Sequence, residues 1–534
     1  MSKRFSNYIL LFFIGVIMLN CANRGTPQGG PKDETPPEIL NSEPENFSVG
    51  FDTDEITITF DEYVRVKDLQ KNLIISPPMK TLPEITPLGS ASKEINIKIF
   101  DTLLPNTTYA FNFGESIVDN NESNPYPFYK YVFSTGSYID SLSVGGVVTD
   151  AFDKKPEEFV SVMLYEVDST FTDSIIYKEK PKYITNTLDS TSTFQLENLK
   201  AGKYLMIALK DNNSNYTFEQ SEDKIGFIRN FITIPTDSVY SISLFKEEIN
   251  FKALRAKLIS GNKIAFGVEG SAENVKIKPL FSVPDNFKFQ IKKDAKSDSL
   301  HLFYNPHIKQ DSLVFKISKN NIIDTVTVRI RELPKDSLII TNAPKGIIDF
   351  LDTFKVKGNV PFVNYDTTKI KLINKDSIPV SYTASLDTIN NTFEFNFNKE
   401  EEQLYRFQFL PGAFTDIFEH QNDTLNYKVT TRTKSDYGNV RLTLKNATYP
   451  VIVQLTNEKG EMKYEKYLTD AELLDFRDIK PAKYMIRILF DSNKNGKYDS
   501  GNYLKKEFPE RVSYYPDILD VRAGWDYIEE FILK

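Results

Sequence analysis

Apolar and polar residues alternate with period two in Ile56-Thr57-Ile58-Thr59-Phe60, Ile95-Asn96-Ile97-Lys98-Ile99, Tyr109-Ala110-Phe111-Asn112-Phe113 and Phe393-Glu394-Phe395-Asn396-Phe397. Such runs put apolar side chains on one face and polar ones on the other, as half-buried strands require. Aromatic and β-branched residues, which fit a pleated surface, dominate them. Turn signals such as Pro-Asn, Asn-Asn and Pro-Gly separate the runs at sandwich spacing. Leu69–Ile74 and Thr469–Leu474 read as the few helical turns. His301 and His307 fall in one hydrophilic strand region and His420 in a turn. The pattern predicts an all-β fold of β-sandwiches in series, extended as a rod.

The pattern breaks at the start. Lys3 and Arg4 precede an apolar run from Tyr8 to Leu19, which is too short for a bilayer span of about 20 residues. Residues 1–21 therefore read as a secretory leader, and Ala22 onward is a Gly/Pro-rich polar tether over 22–35 without a core of its own. Composition then narrows the classes. Hydrophobic residues at 40% exclude global disorder, and a net charge of -8 excludes a strongly basic nucleic-acid surface. One Cys excludes a disulfide framework, and with three His it leaves too few soft ligands for a zinc site.

The only cysteine ends the leader. Met18-Leu19-Asn20-Cys21 resembles a bacterial lipobox, which implies acylation of Cys21, a membrane anchor and a Gram-negative outer-membrane location. Lys32-Asp33-Glu34 is similar to the short Lys-acidic signals that send some lipoproteins to the cell surface, and reads equally as a solvated charge cluster. Residues 36–136 resemble a bacterial Ig-like domain of the S-layer type, through Pro36-Pro37, Pro44, Ile56–Phe60, Leu104-Pro105, Tyr109, Ile117-Val118-Asp119 and Phe133-Ser134-Thr135-Gly136. A degraded copy is expected over 335–434, from Tyr405-Arg406-Phe407-Gln408-Phe409, Asp416, Asn422-Asp423-Thr424 and Thr430-Thr431. A second kind of unit is duplicated within the chain. Phe194–Glu219 aligns on Leu474–Asp499 at an offset of 280 without gaps, with seven of 26 positions identical. Leu199-Lys200-Ala201-Gly202-Lys203-Tyr204 resembles the carboxypeptidase-regulatory or collagen-adhesin B-type fold, which implies transthyretin-like sandwiches over 137–250 and 435–534. Residues 251–334 alternate as a further sandwich of no recognisable type.

Candidate chemistry is sparse. Asp491, Asn493, Asn495 and Asp499, with Gly496 between, match positions 1, 3, 5, 9 and 6 of a calcium loop, although Asn502 stands where the bidentate Glu belongs. The earlier copy offers Asp211, Asn213, Asn215, Glu219 and Glu222, with Tyr216 in the glycine position. The competing reading of both is an Asx-rich turn. Of 38 Asp, 18 are followed by Ser or Thr, where composition predicts about 5. Asp140-Ser141-Leu142, Asp311-Ser312-Leu313 and Asp423-Thr424-Leu425 resemble an O-glycan acceptor motif of exported Gram-negative proteins, which would place glycans on Ser141, Ser312 and Thr424. The same triplets also read as strand-entry turns. No G-x-S-x-G, H-E-x-x-H or P-loop occurs. Trp525, the single tryptophan, is expected in the core or filling a strand edge.

The expectation is a lipid-anchored envelope lipoprotein that acts as a scaffold or as a binding or adhesion module without catalysis. Its partners would be the membrane and an envelope protein or glycan. Two alternatives stay open: a glycan or peptide hydrolase with its site in 251–334 or between domains, and an accessory subunit of a larger envelope complex.

Overall fold

The computed structural model describes residues 34–187 and 191–533. The expected leader, Cys21, Lys32 and Asp33 lie outside the described residues. Strands dominate, and among the described residues the one α-helical turn is Leu69–Asn72. The helical expectation at Leu69 is met there, and the chain then enters the strand Ile74–Ser76. The expected helix at Thr469–Leu474 is instead a bend between the strands Met462–Leu468 and Leu474–Ile479. Leu468 and Leu474 both enter the apolar core, and Leu474 pairs with Leu442 across a sheet. Strand pairing there overrides the local helical preference of Ala471 to Leu474.

The period-two runs lie where their alternation predicts. Ile56, Ile58 and Phe60 sit on the buried face of the strand Glu55–Val66, and Ile95 and Ile97 oppose them from Ser92–Lys98. Around them, two sheets enclose a core that includes Phe60, Phe111, Phe113, Tyr131 and Phe133. Burying each such side chain contributes roughly 1.5–3 kcal/mol. Four further sandwiches follow along the chain, each with its own apolar cluster.

Two pairs of sandwiches repeat each other's strand order. The first sandwich closes one sheet with a parallel pair, Ser48–Val49 on Lys130–Ser134, and the fourth does so with Gly346–Ile347 on Leu425–Thr430. In both, a tyrosine hydroxyl accepts from the main chain five residues earlier: Tyr109 from the Leu104 N–H at 2.9 Å and Tyr405 from the Glu400 N–H at 2.8 Å. The second and fifth sandwiches share another order. A central strand (Leu142–Asp150 or Gly438–Lys445) pairs antiparallel on one side and parallel with the last strand on the other. Gly146 permits this in the second sandwich, because a Cβ there would lie 2.1 Å from the Tyr240 carbonyl oxygen.

The units do not form the expected rod. The second sandwich touches the first through Lys180, whose Nζ donates to the Met79 carbonyl, and the third touches the fourth through Phe303 against Phe418. Asp349 of the fourth binds Lys480 and Tyr437 of the fifth. The fifth then returns to the second, so that Tyr503 completes the apolar cluster of Leu205, Ile207, Phe227 and Phe245. Sandwiches two to five therefore close a ring, because the loop after Phe490 carries apolar side chains that find cover only on the second unit.

Candidate functional site

The two Asp/Asn loops leave equivalent strands, Gly202–Lys210 and Ala482–Phe490. Each strand is anchored by a tyrosine, with the Tyr204 hydroxyl donating to the Lys200 carbonyl at 3.0 Å and that of Tyr484 to the Lys480 carbonyl at 2.8 Å. Asp491 is buried at the strand end. Its Oδ1 accepts from the Asn495 N–H at 2.9 Å, and its Oδ2 accepts from the Gly496 N–H at 2.8 Å and the Tyr467 hydroxyl at 2.9 Å. Burial opposes ionisation of Asp491, but these hydrogen bonds outweigh it and hold the carboxyl below its usual range. The Asn493 and Asn495 amides donate to Asp499 Oδ2, the latter at 2.7 Å, so all four predicted residues converge.

The first copy repeats this arrangement. Asp211 accepts from the Asn213 and Tyr216 N–H groups at 3.1 and 2.7 Å, and the amides of Asn213 and Asn215 donate to Glu219 at 2.6 and 2.9 Å. Tyr216 holds φ 61° where Gly496 holds 75°, so the residue that replaced the glycine keeps the left-handed backbone. Glu222 offers the loop its carbonyl, which accepts from Asn212, while the buried carboxylate beside it is Asp223. Asp223 takes the Asn212 and Glu219 N–H groups at 3.0 and 2.8 Å. Sequence spacing missed Asp223, and it missed Glu510, which accepts from the Ser492 and Asp499 N–H groups in the second copy. In both loops, amide N–H groups face the carboxylate, and a cation would have to displace them.

A third acidic group has no sequence signature. Asp150, Asp153 and Glu157 bring their carboxylates within 4.8 Å of one another. The Lys224 ammonium sits among them at 2.7, 2.9 and 2.8 Å. Burial lowers the Lys224 pKa, but the three carboxylates outweigh it and hold the ammonium well above its usual range. This group borders a cleft of about 780 Å³ between the second and fifth sandwiches, where Lys154, Lys210 and Glu458 also line the wall.

The loop from Ser500 to Phe508 forms the junction itself. Tyr503 is fully buried, its N–H donates to Glu247 at 2.5 Å, and Phe508 stacks on Phe227 at 4.8 Å. Lys506 pairs with Asp173 at 2.7 Å, and Arg487 lies 4.2 Å from the Phe152 ring centre. Gly501 is needed here, since a Cβ would meet the Phe245 ring at 2.7 Å.

The remaining candidates are scattered. His301 lies on Leu300–Asn305, a mostly buried strand and not a hydrophilic one, because Leu302, Phe303 and Tyr304 all enter cores. His307 contacts Asn262 at 2.8 Å and His420 contacts Asp416 at 3.1 Å. Ser141, Ser312 and Thr424 are exposed at or just before strand starts, where both readings of the Asp-Ser/Thr motif put them. Trp525 is outside the core and 55% exposed, at the start of an edge strand and stacked on Tyr527 at 6.2 Å.

Among solved structures, the S-layer protein SbsC matches at 11% identity and a TM-score of 0.17, over 91% of this chain and 67% of that one. The I9–I11 tandem of titin matches at 14% identity and a TM-score of 0.12, over 55% and 93%. The major pilin subunit of Bacillus cereus matches at 11% identity and a TM-score of 0.13, over 73% and 99%. No curated protein sequence matches the chain. Residues 33–135, which contain the first sandwich, match the bacterial Ig-like domain family.

Proposed function

We propose that the chain is a non-catalytic scaffold or binding module of the bacterial envelope, tethered through an acylated Cys21 to the outer membrane. The observation that carries this reading is where the polar groups are spent. Asp491, Asp211 and the Asp150–Asp153–Glu157 group are each taken up by donors of the chain itself, and they hold turns and, at the cleft between the second and fifth sandwiches, the ammonium of Lys224. The lipid anchor rests on the leader and on the position of the sole cysteine. On this reading, 335–434 is a second Ig-like unit, supported by the strand order and tyrosine contact it shares with the first. Residues 137–250 and 435–534 are a transthyretin-like pair, supported by their shared sheet order.

Fractionation of cells tests the anchor. The native chain is expected with the outer membrane and Cys21→Ser in the soluble fraction; continued sedimentation of that variant with membranes would sink the tether. Affinity capture of the native chain tests the scaffold role, which requires a stoichiometric envelope partner.

A further inference from the structure

The last strand, Asp526–Ile532, is an outer strand of its three-stranded sheet. The Asn439 N–H donates to the Trp525 carbonyl and the Leu533 N–H to the Lys445 carbonyl, so the odd-numbered residues bond inward in this parallel pair. The N–H and C=O groups of Ile528, Glu530 and Ile532 therefore point to the open edge. Natural edges are blunted by charge, proline or a covering segment. Here Ile528 is 75% and Ile532 59% exposed, with Trp525 beside them.

The second sandwich carries the matching edge. Beyond its matching strand Tyr240–Leu244, Phe245 exchanges two main-chain hydrogen bonds with Ile225, at 2.9 and 2.8 Å, which join the chain there to the other sheet. The fifth sandwich has the same edge, with Ile532 in place of Ser243 and Glu530 in place of Ser241.

Charge selects the occupant. The outer face offers Asp526, which accepts from the Asn439 amide at 2.7 Å, and Glu530, 3.7 Å from the Lys445 ammonium; the other side of the strand offers Glu529, which accepts from the Tyr515 hydroxyl and borders a recess of about 380 Å³ with Asp517, Asp520 and Trp525. Among the described residues, the cations paired with these five carboxylates are Lys445 and Arg522, the latter bound to Asp520 at 3.1 Å, so the edge keeps an acidic excess. Antiparallel pairing with a second copy about the strand centre would oppose Glu529 to Glu529, or Glu530 to Glu530 or Asp526, which is unfavourable. We infer that Asp526–Ile532 is a docking edge that takes an extended segment of a partner protein, alternating apolar and basic side chains, as an added strand.

The inference draws on the scaffold reading only in requiring a partner, and its test is independent of the Cys21 fractionation. Trp525, as the single tryptophan, reports the edge by its own fluorescence. The full chain with Cys21→Ser is titrated with a short peptide of alternating lysine and valine, and with its glutamate–valine counterpart. The basic peptide is expected to shift Trp525 emission saturably, and the acidic one to bind at least about tenfold more weakly. Ile528→Pro removes an outward N–H that the sheet does not use, so it should abolish the shift while leaving the melting temperature within a few degrees; Ile528→Lys should do the same if proline perturbs the strand. Equal responses to the two peptides, a response retained in both variants, or concentration-dependent dimerisation in sedimentation would each overturn the inference.

Discussion

Asp491 does at residue scale what its position in the loop suggests, through donors the sequence does not name. Removing its carboxylate strands three donors at a buried strand end, so Asp491→Ala is expected to cost about 2–3 kcal/mol, seen as an earlier urea midpoint in the presence of chelator. Because hydrogen bonds depress its pKa in the fold, its contribution is complete above about pH 4, the unfolded value, and is lost as pH falls below it. Acid titration of the wild type should show this loss and the variant should lack it. With Asn493 and Asn495 donating to Asp499, several millimolar calcium is expected to leave the melting curve unchanged. A calcium-dependent rise abolished by Asp491→Ala would show that the amides turn over to hold an ion.

At the scale of elements, the duplicated units should respond alike. Tyr204→Phe and Tyr484→Phe each delete one hydroxyl donor to a main-chain carbonyl four residues earlier. Each is expected to cost about 1 kcal/mol, by chemical denaturation, and the two losses should add, since they lie in separate cores. A large loss from one and none from the other would mean that the shared motif is not a shared anchor. The duplication was legible because seven identities fall on one uninterrupted register, spanning two strands and the turn after them. Trp525 was not legible: its neighbours do not reveal that the strand after it lacks an outer partner.

The whole molecule is held by junctions between units. Tyr503→Ala removes a fully buried ring from the contact between the second and fifth sandwiches and should cost about 3–5 kcal/mol there. The expected readout is opening of the ring, measured as a larger radius of gyration in solution scattering with strand content unchanged; an unchanged radius would contradict the closure. At the third–fourth junction, the Lys292 ammonium donates to the Gly358 and Asn359 carbonyls at 2.8 and 3.1 Å. Burial, and then Lys357 and Lys263, push its pKa down to about 8, against a weaker pull from Asp294. Between pH 8 and the unfolded value near 10.4, the unfolded chain binds the extra proton, so stability from this group rises with pH there, by up to about 3 kcal/mol. Lys292→Met should flatten that rise in urea midpoints measured across the window.

Strand class, the half-buried runs and the internal duplication were decided by the sequence alone, because alternation and turn chemistry are local and act within a few residues of each other. The site residues Asp491, Asn493, Asn495 and Asp499 were found the same way, since one short turn contains them all. Tertiary structure alone decided that Lys224 fills the carboxylate group, that Asp223 and not the Glu222 side chain serves the first loop, and that Tyr503 lies under the second sandwich. These pairings join residues distant in the chain or depend on which side of a strand faces inward, and no local pattern encodes which sandwich surfaces will meet. The ring in place of a rod follows from the same cause: short-range pattern specifies each core, and leftover apolar surface on distant loops specifies how the cores assemble.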